Sequence, residues 1–240
     1  MGKNKLARWN ELETFSNVIQ PLIEEIKSEE PGELKVRNHP VKGQWRETIF
    51  RNQNPVVLEL GCGRGEYTIG LATRFPGKNF IGVDIKGARL WRGAKTSNEK
   101  NIANAAFLRT RIEFINAFFE NDEADELWIT FPDPHPGTRN ANKRLTSPYY
   151  LNSYRSLLKD NGIVHLKTDN TELFRFTRQV AISNNLELLF DTEDLYGSGI
   201  SDDILSIKTH YEKMFLGMGM KINYLAFRLP KLTSIVYETR

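Results

Sequence analysis

Several groups of residues in this 240-residue chain have types and spacings suited to chemistry. The stretch Glu59-Leu60-Gly61-Cys62-Gly63-Arg64-Gly65-Glu66 joins an apolar run to an amphipathic one. Glycines at Gly61 and Gly63 let a backbone turn sharply and approach a bound molecule closely. Asp84 ends the next apolar run, where an acid accepts hydrogen bonds from ribose hydroxyls. A tight turn that holds nothing is the plainer reading. The spacing is G-x-G-x-G, whereas dinucleotide loops follow G-x-G-x-x-G. Glu59, two residues ahead of Gly61, repels a pyrophosphate and suits a cation. S-adenosylmethionine carries a sulfonium and an ammonium and no phosphate, so it is favoured over NAD; Glu59 as a simple strand-end acid is the alternative. Arg111, just beyond the third apolar run, either lies against the adenine or faces solvent.

A second group is Phe131-Pro132-Asp133-Pro134-His135-Pro136. Prolines on both sides stiffen the backbone around Asp133. A carboxylate on a rigid strand exit can hold a substrate in place; capping a turn is the structural alternative. From Pro134 to Lys159 there is no Asp or Glu, against five basic residues, Arg139, Lys143, Arg144, Arg155 and Lys159. Such a stretch beside a site favours a polyanion, although a charge run is commonly only a solvated face. Lys86, Arg89, Arg92 and Lys95 form a second basic set along the helix expected after Asp84. His39, His135, His165 and His210 stand apart, so no metal is expected. Cys62, the single cysteine, lies in the glycine loop and is read as a packing residue.

Alternating strands and helices must position these groups. Strands are expected at Val56–Leu60, Asn79–Val83, Ala106–Thr110, Glu126–Phe131, Ile163–Lys167, Leu186–Phe190 and Lys221–Leu229, with helices between most of them. This is an α/β pattern: an open, mostly parallel, seven-stranded sheet with helices on both faces. Ligands of such sheets bind at the carboxyl ends of the strands, where Gly61, Asp84, Arg111, Asp133 and Asp169 fall. Residues 1–53 read as a partly mobile N-terminal extension with helical pieces at Asn10–Gln20 and Leu22–Lys27, and residues 54–240 as one domain.

Composition agrees with a soluble globular protein. Lys and Arg number 33 against 30 Asp and Glu, a formal charge of +3, and 40% of residues are hydrophobic. Disordered and collagen-like classes are excluded. One cysteine forms no internal disulfide, and no run of 18 apolar residues is present. The start is basic and polar, without the apolar core of a secretory leader. A cytoplasmic protein is expected, a monomer or homodimer, with no membrane contact and no obligatory protein partner.

Four of these motifs in order, Phe131-Pro132-Asp133-Pro134-His135, Lys143-Arg144-Leu145, Lys167-Thr168-Asp169-Asn170 and Thr209-His210-Tyr211-Glu212, resemble the tRNA (guanine-N7)-methyltransferases of the TrmB type. The resemblance runs from about Pro55 to Leu229. It implies a Rossmann-like class I S-adenosylmethionine-dependent methyltransferase fold. It also implies methylation of a guanine in the tRNA variable loop. It places cofactor contacts at Glu59 and Asp84 and the catalytic acid at Asp133; Gly61, Gly63 and Arg111 join the cofactor set from the reading of the loop and the third strand. Its substrate contacts fall on Asp169 and on Thr209 to Glu212; Asp133, Arg139, Lys143 and Arg144 are expected to touch substrate from the proline-flanked exit and the acid-free stretch themselves. Two positions depart from the family pattern: Arg111 stands where an Asp or Asn is usual, and Gly137 where a lysine is common. These two departures motivate a non-catalytic tRNA-binding relative as an alternative, and the strand-glycine-acid arrangement by itself also suits an NAD-dependent oxidoreductase.

Overall fold

Short apolar runs closed by glycine, proline or an acid set the strands, and amphipathic stretches between them set the helices. The structure is a computed structural model. It describes residues 3–27, 36–199, 205 and 207–237. These divide into two units, residues 1–123 and 124–240.

The first unit opens with α1 (Lys3–Leu12), β1 (Val18–Ile19) and the single turn α2 (Ile23–Ile26). Then come β2 (Val56–Leu60), α3 (Glu66–Arg74), β3 (Asn79–Asp84), α4 (Gly87–Glu99) and β4 (Ala105–Arg109). Its strands run in the order β1-β4-β3-β2 and pair in parallel. β2 is buried at every position and β3 at all but Asp84, as strands covered on both faces must be. Leu12 of α1 packs with Cys62, Leu90, Ala94 and Phe107. At Gly93, α4 comes so close to β4 that an added Cβ would lie 2.8 Å from the Arg64 carbonyl oxygen and from the Phe107 ring. Trp45 is fully buried; its Nε1 donates to the Phe118 carbonyl at 2.8 Å, and its ring stacks on Phe119.

The helix expected over Asn10–Gln20 is replaced by the end of α1 at Leu12 and by β1. Val18 pairs with Phe107 and Ile19 with Leu108. The β-branched pair gains more from an open strand edge than from another helical turn. This edge brings the strands among the described residues to eight, one more than expected.

The second unit holds β5 (Ala124–Thr130), α5 (Pro148–Leu157), β6 (Leu158–Thr168), α6 (Thr171–Ser183), β7 (Leu188–Thr192), α7 (His210–Gly217) and β8 (Asn223–Leu229). Its order is β5-β6-β8-β7. β5 and β6 are parallel, and β8 runs antiparallel to β6 and β7. Trp128 and His165 stack across β5 and β6 at 3.8 Å. Each helix has its own start signal. Ser147 precedes Pro148 at the head of α5, Asn170 Oδ1 accepts the Leu173 N–H at 2.8 Å, and Thr209 caps α7.

The chain then straps across α5 and α6. Asn152 and Asn184 exchange amide hydrogen bonds with the backbone of Ile235 and Val236, and the Tyr237 hydroxyl bonds Asn142. Among the described residues, no helix is long and apolar enough to cross a membrane.

Candidate functional site

In the first unit the glycine loop leaves β2 and is tied back to β3. The Gly61 and Cys62 N–H groups both donate to the Val83 carbonyl, at 2.8 and 3.0 Å. Gly61 and Gly63 have φ of +74° and +55°, and a Cβ on either would meet nothing within 4 Å. The turn therefore demands glycine for its backbone and leaves open space beside it. Asp84 stands over this turn, accepting the Gly63 N–H at 2.9 Å through one oxygen and the Lys86 N–H at 2.7 Å through the other. Each oxygen keeps a further lone pair. Burial raises the Asp84 carboxyl above the ordinary aspartate range, against those two donors.

Glu59 is buried in β2 and accepts both the backbone N–H of Thr68, at 2.8 Å, and the Thr68 hydroxyl. Its charge thus sits at the start of α3, where a carboxylate is favoured. Cys62 packs in the core beside this loop, and burial pushes its thiol up. Arg111 lies half-exposed, 3.1 Å from Glu113, on the rim of an apolar groove of about 410 Å³. Leu22, Ile23, Ile85, Thr110 and Phe114 line that groove, beyond the carboxyl ends of β3 and β4. An S-adenosyl group fits this set. Two acids suit a ribose and a cation, the glycines leave room for close approach, and the groove offers an apolar face to a purine.

In the second unit the exit of β5 is bent hard. Phe131 and His135 have left-handed φ of 49° and 43°, and Gly137 has φ of 81°. Between them Asp133 is exposed, and no group among the described residues bonds its carboxylate. The glycine at 137 meets the backbone requirement, and its N–H donates to Glu172 at 3.2 Å.

The basic stretch separates into two kinds. Arg144 is buried: its Nε donates to the carbonyls of Pro134 and His135, and its Nη2 lies 2.5 Å from Glu172. Arg144 was expected to touch substrate, and the structure places it as a brace beneath the Asp133 loop. Arg155 holds the carbonyls of Pro230 and Lys231, and Lys159 pairs with Asp125. Arg139 and Lys143 are exposed and have no partner among the described residues. On α4, Lys95 pairs with Glu11 and Arg92 with Glu99, while Arg89 and, just ahead of the helix, Lys86 are exposed.

Asp169 follows β6, half-buried, and burial raises its carboxyl above the ordinary range. Thr209 and Glu212 form a reciprocal cap on α7: the Thr209 hydroxyl accepts the Glu212 N–H at 3.2 Å, and Glu212 accepts the Thr209 N–H at 3.4 Å. Glu212 also lies 2.8 Å from Lys167 Nζ, and both side chains are 0% exposed. Burial pulls the Lys167 ammonium below the ordinary lysine range, and the Glu212 carboxylate opposes that shift. The spacing T-x-x-E is also that of a capping box, a signal that could have shown this arrangement in advance. A lysine ending the apolar run Ile163–Leu166 could likewise have marked Lys167.

The chain is similar to known proteins over most of its length. Residues 53–225 match the family model described as "Putative methyltransferase". A Bacteroides fragilis protein named tRNA (guanine-N(7)-)-methyltransferase is 48% identical over 233 residues, 96% of this chain and 88% of its own. A protein of the same name from Christiangramia forsetii is 45% identical, over 95% of this chain and 99% of its own. A solved structure described as "Structure of an Antibiotic Related Methyltransferase" has a TM-score of 0.58 at 18% identity, covering 81% of this chain and 96% of that one, a likeness of fold alone.

Proposed function

Because the chain belongs to the tRNA (guanine-N(7)-)-methyltransferase family, we propose that it methylates N7 of a guanine in tRNA with S-adenosylmethionine as donor. It is an enzyme with the class I S-adenosylmethionine-dependent methyltransferase fold. The target in the variable loop, action in the cytoplasm and a monomeric or homodimeric state are finer parts of the same reading. So is a methyltransferase domain of residues 54–240 behind an N-terminal extension of 1–53, supported by a family match that begins at residue 53.

Bound S-adenosylmethionine supplies a methyl carbon activated by a sulfonium. Asp84 offers its remaining lone pairs to ribose hydroxyls, Glu59 sets negative potential beside the loop, and Gly61 and Gly63 admit close approach. Arg111 closes the groove that takes the adenine. Guanine N7 has a free lone pair, so no proton need leave before attack, and the residues work by position and charge. The guanine becomes more positive as its new bond forms. A nearby carboxylate therefore stabilises the transition state more than the ground state. Asp133 takes that role and accepts a hydrogen bond from the guanine edge. Asp169 holds the substrate from the next strand exit. Arg139 and Lys143 bind backbone phosphates and supply the positive charge absent at Gly137. Arg144, Thr209 and Glu212 act from beneath, by holding the loops that carry these groups.

One observation carries the reading: an exposed carboxylate, Asp133, on a stiff strand exit followed by two exposed cations that have no partner among the described residues. Incubation with labelled S-adenosylmethionine and unmodified tRNA should place the label on guanine N7. Label at any other atom defeats the assignment.

A further inference from the structure

We propose that Lys167 and Glu212 are positioning residues of the methyl transfer, a buried ion pair that locks the exits of β5 and β6 and the start of α7 into one frame. The proposal rests on the methyl-transfer reading above. Lys167 is a junction through both its backbone and its side chain. Its carbonyl accepts the Phe131 N–H at 2.8 Å, two residues ahead of Asp133. Its ammonium donates to the carbonyls of Leu205 and Ile207, at 3.0 and 3.2 Å, and meets Glu212 Oε1 at 2.8 Å. Two residues further along the chain stands Asp169. Glu212 gathers the other side: it accepts the Thr209 N–H at 3.4 Å and the Tyr196 hydroxyl at 2.6 Å. The rings of Phe131 and Phe215, 5.9 Å apart, join α7 to the β5 exit a second time.

The chemistry explains why these two residue types are used. Leu205 and Ile207 both turn a carbonyl toward the ammonium, and an apolar side chain at 167 would take that donor from Ile207 and leave Leu205 only the Tyr196 hydroxyl, at 3.4 Å. A buried ion pair seldom stabilises a fold more than apolar residues of the same volume would. What it adds here is direction: one ammonium with donors aimed at three fixed oxygens sets the spacing of three segments. Asp133 and Asp169 then leave the protein at a fixed separation from each other. Glu212 acts on the substrate through this frame and not by contact.

The test uses the full chain with unmodified tRNA and three variants, Lys167→Met, Glu212→Gln and the double variant. Both single variants should lose about 10- to 100-fold in kcat, the scale of a misplacement of about 1 Å. The KM for tRNA and the affinity for S-adenosylhomocysteine should stay within about threefold, since a frame moves the transition state more than ground-state binding. The double variant should lose less than the product of the singles, because removing both charges leaves neither one buried alone. Backbone amide exchange at Phe131 and Thr209 should speed up in Lys167→Met. If that variant fails to fold, Glu212→Gln decides, because it keeps the side chain's volume and one acceptor oxygen and removes the charge that meets Lys167. Losses that multiply in the double variant, or a loss in Glu212→Gln confined to KM, would show direct substrate contact and overturn the proposal. So would single variants with wild-type kcat per folded molecule. A wild-type enzyme that forms no 7-methylguanine overturns the methyl-transfer reading and this proposal together, whereas an active wild type with unaffected variants overturns this proposal alone.

Discussion

Asp133 sits between two residues, Phe131 and His135, held at left-handed φ. Such backbone costs about 1–3 kcal/mol per residue and persists where it sets the aim of a functional group. Replacing the carboxylate should therefore affect chemistry far more than folding. Asp133→Ala is expected to lower turnover by about 100-fold or more, with S-adenosylhomocysteine affinity within twofold by calorimetry. Asp84 yields a pH prediction. Burial raises its carboxyl above the ordinary 3.8. Its contribution to folding stability is therefore full below the ordinary value and lost as pH rises through the raised one. Cofactor binding has the opposite sign, because the ionised form is the better acceptor for ribose hydroxyls. S-adenosylhomocysteine affinity should weaken on acidification before an ordinary aspartate would titrate, and Asp84→Asn should flatten that dependence in a titration series. At this scale the sequence exposed the acids and glycines because their types are unusual where they stand. It did not separate Arg144 from Lys143, since neighbours in a charge run differ only by which way the backbone turns.

Elements place these residues, and two glycines show how. Gly63 needs its left-handed φ but has open space beside it, whereas Gly93 has the Arg64 carbonyl and Phe107 at 2.8 Å from any added Cβ. Gly63→Ala should cost about 1–2 kcal/mol from backbone strain and weaken the cofactor by narrowing the approach. Gly93→Ala should cost about 1–3 kcal/mol from overpacking and spare the affinity of the molecules that fold. Melting temperature and S-adenosylhomocysteine titration, measured on both variants, separate the two. Strands β2 to β5 and β6 from Ile163 onward were legible because each is an apolar run with a stop signal, whereas residues 158–162, the start of β6, are largely polar and end in the turn signal Asn161-Gly162. Val18–Ile19 was not, because two residues define no period and its edge position exists only once β4 is in place. The spacing at Thr209 and Glu212 points to a substrate motif and also builds the cap of α7, since capping and binding ask for the same side chains.

At the level of the whole molecule the formal charge is only +3, so tRNA affinity must come from where the cations sit. The acid-free stretch pointed toward RNA, yet Arg144, Arg155 and Lys159 are engaged within the protein. Arg139 and Lys143 remain for phosphate. Removing both should weaken tRNA binding and reduce the slope of log affinity against log salt by roughly one to two. Arg155→Ala, which breaks bonds to the Pro230 and Lys231 carbonyls, should leave that slope alone and lower the melting temperature. Filter binding across a salt series, with thermal melts, distinguishes the classes.

The strap formed by Ile235, Val236 and Tyr237 has a practical outcome for whoever handles the protein. Tyr237 is fastened to Asn142, the immediate neighbour of Lys143. Iodination of the Tyr237 ring for labelling would thus disturb the neighbourhood of the cations proposed to grip phosphate, so nucleic-acid assays call for a label placed elsewhere.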